Sequence, residues 1–200
     1  MNMKLTTTTN VTVDGVMQGL GGPDEDRRGD FDRGGWAIPL VDTETGQYLD
    51  QVYGADAFLF GRRTYEIFAG SWGAMADPSM SPIAAALNSR PKYLASTTLT
   101  DPQWADTTVL TGELATAIRG LTAHHDGELL VPGSGVLVRW LLAHDLVDQL
   151  DLVTYPVIVG RAHGCSPSRA RTSRLTWSTL GPPPAASPSR PIGQPGARST

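Results

Sequence analysis

Apolar positions along this chain recur with two periods, and the two alternate. Leu5 to Val13 is a run rich in β-branched residues that Asp14-Gly15 breaks, which predicts a first, central strand ending in a turn. Ala55 to Phe60 reads as a buried strand, and Lys92 to Ser96, Thr107 to Leu110, Glu128 to Val131 and Leu150 to Tyr155 read as further strands, with Pro156 to Val159 completing the series. Helical spacing falls between them. Thr64 and Glu66 open a helix carrying Tyr65 and Phe68, Ile83 to Leu87 is a short helix, Leu114, Ile118 and Leu121 mark another, and Val136, Leu137, Trp140 and Leu141 form an amphipathic last one. Strands alternating with helices predict an α/β fold with a mostly parallel sheet flanked by helices.

Three segments escape both periods. Gln18 to Gly35 is rich in glycine, Asp and Arg and has little to bury, so it is predicted as a long surface loop, of the kind that borders a site. The Asp42-Thr43-Glu44-Thr45-Gly46 stretch reads as a turn. From Arg161 the composition changes: residues 161–200 hold seven prolines, seven serines, six arginines and no acid. Such a segment cannot offset its ordering entropy and is predicted to be mostly disordered, with a strand-like alternation only over Arg174 to Leu180. The expected organisation is one folded domain over 1–160 and a tail over 161–200.

With 200 residues and 40% apolar content, the chain can bury a core of ordinary size. The net charge of −4 conceals an asymmetry, because the first 160 residues carry ten basic and twenty acidic side chains. An acidic body lacks the basic stripe that a nucleic acid requires and directs attention to small molecules. Cys165 is the single cysteine, and no Cys/His spacing suits zinc, so no metal is expected. No stretch approaches the ~20 apolar residues of a membrane span, and the expected setting is the cytoplasm.

The candidate chemistry lies where strands give way to helices. Gly61-Arg62-Arg63-Thr64 follows a strand and opens a helix, placing backbone N–H groups, a hydroxyl and guanidinium groups where an anion is favoured; the alternative is a surface Arg pair before a Thr cap. Ser96 and Thr97 put hydroxyls at the carboxyl end of another strand, as ligand contacts or as a polar turn. Gly133-Ser134-Gly135 stands between a strand and a helix, where it serves either a close phosphate approach or a tight turn.

In this order, with Lys92-Tyr93-Leu94-Ala95-Ser96 and Pro156-Val157-Ile158-Val159-Gly160, these motifs resemble the dihydrofolate reductase-like superfamily, in particular the reductase domain of riboflavin biosynthesis proteins and its stand-alone relatives. The resemblance runs to about Gly160. It implies NADPH held by Gly61, Arg62, Arg63, Thr64, Ser96, Thr97, Gly133, Ser134 and Gly135. It also makes Asp14, in Val13-Asp14-Gly15-Val16, a candidate catalytic carboxylate against a turn role, and Trp36, in Gly34-Gly35-Trp36, a substrate wall or a core residue. The implied activity is hydride transfer to a small heterocyclic or ribosylamino-pyrimidine substrate, the riboflavin-synthesis reduction being the best-named case. The alternatives are a nucleotide-binding protein without turnover and a damaged chain. Where the family continues into a C-terminal hairpin, Arg161-Ala162-His163-Gly164-Cys165 follows, which suggests a shifted reading frame; the sheet edge left open would invite association with another chain and lower stability, and the expected assembly is a homodimer.

Overall fold

The structure is a computed structural model, and residues 2–160 are described. Six strands form one sheet in which every recorded pairing is parallel: β1 (Lys4–Thr12), β2 (Ala57–Gly61), β3 (Lys92–Ala95), β4 (Thr107–Val109), β5 (Glu128–Pro132) and β6 (Gln149–Tyr155), in the order β4-β3-β2-β5-β1-β6. The five helices are α1 (Thr43–Val52), α2 (Arg62–Ser71), α3 (Pro82–Ser89), α4 (Leu114–His124) and α5 (Gly135–Ala143).

Period-2 alternation divides the core between the two faces of the sheet. Leu5, Leu59, Leu129 and Val131 face α4 and α5, meeting Ile118, Leu137, Val138 and Leu141. Phe58, Phe60, Leu94 and Leu130 face the other way, onto Tyr53, Tyr65 and Leu87 from α1, α2 and α3. Both faces are covered, which is why β2 and β5 read as unbroken apolar runs. Lys92 is fully buried among them; its Nζ donates to the Leu87 and Arg90 carbonyls at 2.8 Å each and stands 5.1 Å from the Trp104 ring centroid. Burial pushes its pKa down, against the charge of Asp106.

The structure corrects three expectations. Asp42 to Gly46 is not a free turn: Asp42 caps α1, its Oδ1 accepting the Thr45 N–H at 2.8 Å, and Leu49 and Val52 pack on the core beyond. Pro156 to Val159 forms no strand; Val13 N–H donates to the Val157 carbonyl at 3.1 Å and the segment runs on as irregular chain. The loop over 18–35 does have something to bury. Phe31 and Trp36 form a cluster with Val16, Val153, Tyr155 and Val159, and Trp36 Nε1 donates to the Gln18 carbonyl at 2.8 Å, so the loop is pinned against β6. The expectations for the tail, its disorder, its alternation over 174–180 and a shifted frame, lie outside the described residues.

Candidate functional site

In a parallel sheet all strands end on one edge, and the helices that follow begin there. α2 leaves β2 for one face and α5 leaves the neighbouring β5 for the other, so a crevice opens between their starts, at the reversal of direction that marks ligand sites in open α/β sheets. The two strand-to-helix loops are stitched together. Ser134 N–H donates to Thr64 Oγ1 at 3.1 Å, and Gly61 N–H donates to Ser134 Oγ at 3.1 Å. Gly133 has a φ of +58°, and Ser134 repeats the left-handed conformation at +51°, which is strained for a residue with a Cβ and held by that reciprocal bonding.

This stitching leaves the helix starts open. Ser134 at the start of α5 and Gly61 at the start of α2 make no side-chain cap, and neither helix has an acid in its first turn. The other three are capped by their own side chains: α1 by Asp42, α3 by Ser81 and α4 by Glu113, which accepts the Ala115 and Thr116 N–H groups. First-turn N–H groups have no intrahelical acceptor and carry the positive end of the helix dipole. Among the described residues no side chain caps α2 or α5, and the first turns of both line the crevice.

A cavity of about 520 Å³ fills this crevice. Its floor includes Thr9, whose buried hydroxyl has no hydrogen-bond partner among the described residues, and Asn10 from the end of β1. Its rim includes Arg62, Arg63, Arg139, and Glu25, Asp26 and Arg28 from the long loop. The charges are sorted. Arg62 donates to Glu66 Oε1 and to Thr98 Oγ1, both at 2.7 Å, bridging α2 to the loop after β3. Asp26 is buried, which opposes its ionisation, but Arg28 donates to both its oxygens and Arg63 approaches to 3.9 Å, and together they hold the carboxyl below its ordinary value. Its neighbour Glu25 goes the other way: burial pushes its pKa up, the Asp26 charge adds to this, and the N–H groups of Gly21 and Leu20 counteract it only in part. Adjacent acids driven apart in this way are able to do different chemistry at one pH.

The residues expected from sequence divide between cavity and periphery. Gly61, Arg62, Arg63, Thr64, Gly133, Ser134 and Gly135 converge on the cavity. Ser96 and Thr97 are not among its lining residues: Ser96 Oγ accepts the Thr98 and Leu99 N–H groups at 3.2 and 2.9 Å, closing a turn, and Thr97 is exposed. The hydroxyl that meets Arg62 is that of Thr98, one residue further on. Asp14 is exposed and outside the lining; its carboxylate accepts the Thr12 hydroxyl at 2.5 Å and the Val159 and Gly160 N–H groups at 3.3 and 2.7 Å. Those bonds, the Thr12 hydroxyl foremost, lower its pKa and fit a residue that fastens the chain after β6. Trp36 is 8% exposed and packs edge-on to Tyr155 at 5.4 Å, which is the core alternative rather than a wall of the cavity. Glu25 is the carboxyl that sequence reasoning passed over; the signal was its place in Pro23-Asp24-Glu25-Asp26, inside a loop already expected to border a site.

The fold is of dihydrofolate reductase-like type. The chain matches the RibD C-terminal domain family over residues 3–178 and belongs to that family. The match runs past Gly160, where the resemblance read from sequence ends. Among solved structures, it is similar to a protein assigned to riboflavin biosynthesis from Shewanella sp. PV-4, at 19% identity and a TM-score of 0.53, covering 89% of this chain and 85% of that one. It is also similar to the riboflavin biosynthesis reductase Rib7 of Saccharomyces cerevisiae (12% identity, TM-score 0.51, 84% and 80% covered). A third likeness is to dihydrofolate reductase of Enterococcus faecalis, solved with NADP(H) (12% identity, TM-score 0.52, 84% and 80% covered). At such identities the likeness shows the fold. No curated protein sequence matches the chain. Among the described residues no helix is long and apolar enough to cross a membrane.

Proposed function

We propose that this chain is an NADPH-dependent reductase acting on a small heterocyclic or ribosylamino-pyrimidine substrate. The observation that carries this reading is the pair of uncapped, acid-free helix starts, α2 and α5, opening on one cavity beside Arg62 and Arg63. Such starts are made for phosphate. Gly135 opens α5 without a side chain because Met17 packs on it, its Sδ 2.6 Å from where a Cβ would stand.

The cofactor, when bound, supplies hydride. The chain supplies the rest. First-turn N–H groups of α5 would hold the diphosphate, and Arg62 with Thr98 and Arg63 would hold the phosphate that distinguishes NADPH from NADH, through charge-assisted hydrogen bonds. Thr9 and Asn10, at the end of β1, line the inner part of the cavity, where substrate would lie. Cytoplasmic location and a homodimer complete the reading. Titration of the full chain with NADPH and with NADH, followed by NADPH oxidation with dihydrofolate and with the ribosylamino-pyrimidine of riboflavin synthesis, tests it. Preferential NADPH binding with turnover on one of these classes is the expected result; no binding of either cofactor would end the proposal, and binding without turnover would leave a nucleotide-binding protein.

A further inference from the structure

The first turn of α2 meets the chain between β3 and β4 at two points. On the outside, Arg62 donates to Thr98 Oγ1 at 2.7 Å, and both residues are exposed. On the inside, one helical turn along, Tyr65 Oη accepts the Trp104 N–H at 2.9 Å, with the two rings 5.9 Å apart and both residues buried. Neither Tyr65 nor Trp104 is among the residues that line the cavity. Between the two points, the chain from Ser96 to Asp106 has no strand or helix of its own, and its course is set by the Ser96 turn, by Leu99 on the core and by Trp104.

The inner contact is braced from beneath. Trp104 Nε1 donates to Asn88 Oδ1 at 2.9 Å, and Asn88 Nδ2 donates to the Ala84 and Trp72 carbonyls at 2.8 and 3.0 Å, so one amide ties the indole to α3 and to the end of α2. The Trp104 carbonyl accepts the Thr107 hydroxyl at 2.6 Å, where β4 begins. Against the indole lies the ammonium of Lys92, fully buried and without an ion pair among the described residues. The carbonyls of Leu87 and Arg90 at the end of α3 accept from it, and the Trp104 ring lies within cation–π range. Taking a cation out of water is costly, and these partners offset the cost only while the indole and the end of α3 stay in place. That dependence fixes Trp104.

We infer that Trp104, braced by Lys92 and Asn88 and bonded to Tyr65, is a positioning residue that sets the gap between Arg62 and Thr98, and with it the preference of the site for a cofactor bearing a 2′-phosphate. The inference rests on the nucleotide reading above, in which Arg62 and Thr98 hold that phosphate. It adds that selectivity is set from a buried layer outside the cavity lining. A guanidinium from α2 and a hydroxyl from a loop must meet the phosphate oxygens together, so a small shift of the loop loses one contact or the other.

Two substitutions separate the parts of the brace. Tyr65→Phe removes the acceptor of the Trp104 N–H and keeps the ring; Trp104→Phe keeps that N–H and removes the indole that Lys92 and Asn88 hold. Affinities of the full chain for NADPH and for NADH are measured by calorimetric titration beside thermal unfolding, with Asp42→Ala as a variant destabilised away from the clamp. Each change in the brace is expected to lower the preference for NADPH over NADH about fivefold, through NADPH alone, a size typical of positions that act through others. Asp42→Ala should lower the melting temperature and leave the preference unchanged. In a Thr98→Val background, where the clamp is already broken, Tyr65→Phe should not change the preference further. An unchanged preference in Tyr65→Phe, equal losses for both cofactors, or an undiminished Tyr65→Phe effect beside Thr98→Val would each overturn the assignment; if Trp104→Phe does not fold, the Tyr65→Phe results decide. If the wild type binds neither cofactor, the nucleotide reading fails and the assignment with it; if the wild type prefers NADPH and Tyr65→Phe keeps that preference, the assignment fails alone.

Discussion

The helices of this domain end in two different ways, and the difference separates what holds the fold from what the cavity requires. α1, α3 and α4 are closed at their first turns by Asp42, Ser81 and Glu113. α2 and α5 are left open: Gly61 precedes α2 with no side chain to cap it, Ser134 at the start of α5 accepts the Gly61 N–H instead, and Thr64 in the first turn of α2 accepts the Ser134 N–H. An N-terminal cap stabilises a helix by about 0.5–2 kcal/mol, so two omissions on helices whose first residues line the same cavity are a stability cost placed where an anion would offset it.

The comparison breaks most decisively if a carboxylate is put where the structure omits one. Ser134→Asp still offers Gly61 N–H an acceptor and tolerates the left-handed backbone, but it places a negative charge at the start of α5. NADPH affinity is expected to decrease on the order of a hundredfold with the melting temperature held or raised, as measured by calorimetric titration beside thermal unfolding. A variant that binds normally would mean the diphosphate does not use that helix.

Arg62→Ala sharpens the same contrast at α2. Loss of charge-assisted bonds worth about 1.5–3 kcal/mol should weaken NADPH by roughly ten- to a hundredfold and NADH by far less, since only NADPH carries the additional phosphate. Equal losses would place Arg62 elsewhere on the cofactor.

The reverse pattern is expected on the capped helices. Asp42→Ala and Glu113→Ala remove acceptors of first-turn N–H groups and should lower the melting temperature by about 2–4 °C while leaving NADPH affinity unchanged. The smallest effect concerns pH. Asp14, Asp42 and Glu113 all have pKa values lowered by hydrogen bonds made only in the fold, above all those from the Thr12, Thr45 and Thr116 side chains. A carboxylate with a lowered folded value contributes stability that is present above its unfolded value and lost as pH decreases through the folded one. Melting temperature should therefore decline below about pH 4, and Asp14→Asn should reduce the part of that decline that comes from fastening Val159 and Gly160. A melting temperature insensitive to acid would contradict these three bonds.

Much of the frame was legible because it rests on local period. Leu59 against Phe58 and Phe60, and Leu130 against Leu129 and Val131, announce a sheet covered on both faces, and Gly61 to Thr64 and Gly133 to Gly135 announce the turns into α2 and α5. α1 was missed because Asp, Thr and Gly are turn formers in isolation; what makes them the start of a helix is the burial of Leu49, Val52 and Tyr53 several residues later. Ser96 and Thr97 stood one step from Thr98 because a side-chain turn, invisible in the alternation, sets which hydroxyl meets Arg62. Asp14, Trp36 and Glu25 depend on how the long loop folds back, which is decided by the packing of Phe31 and Trp36 on Val153 and Tyr155, contacts distant in sequence.

The central claim is that the open starts of α2 and α5 hold the phosphates of one nicotinamide cofactor. A crystal structure of the full chain with NADP+ tests it most directly. The account requires diphosphate oxygens within hydrogen-bond distance of backbone N–H groups in the first turn of α5, and the 2′-phosphate against Arg62 and Thr98. Density for the cofactor in another part of the molecule, or a diphosphate held only by side chains with both helix starts left to water, would contradict it.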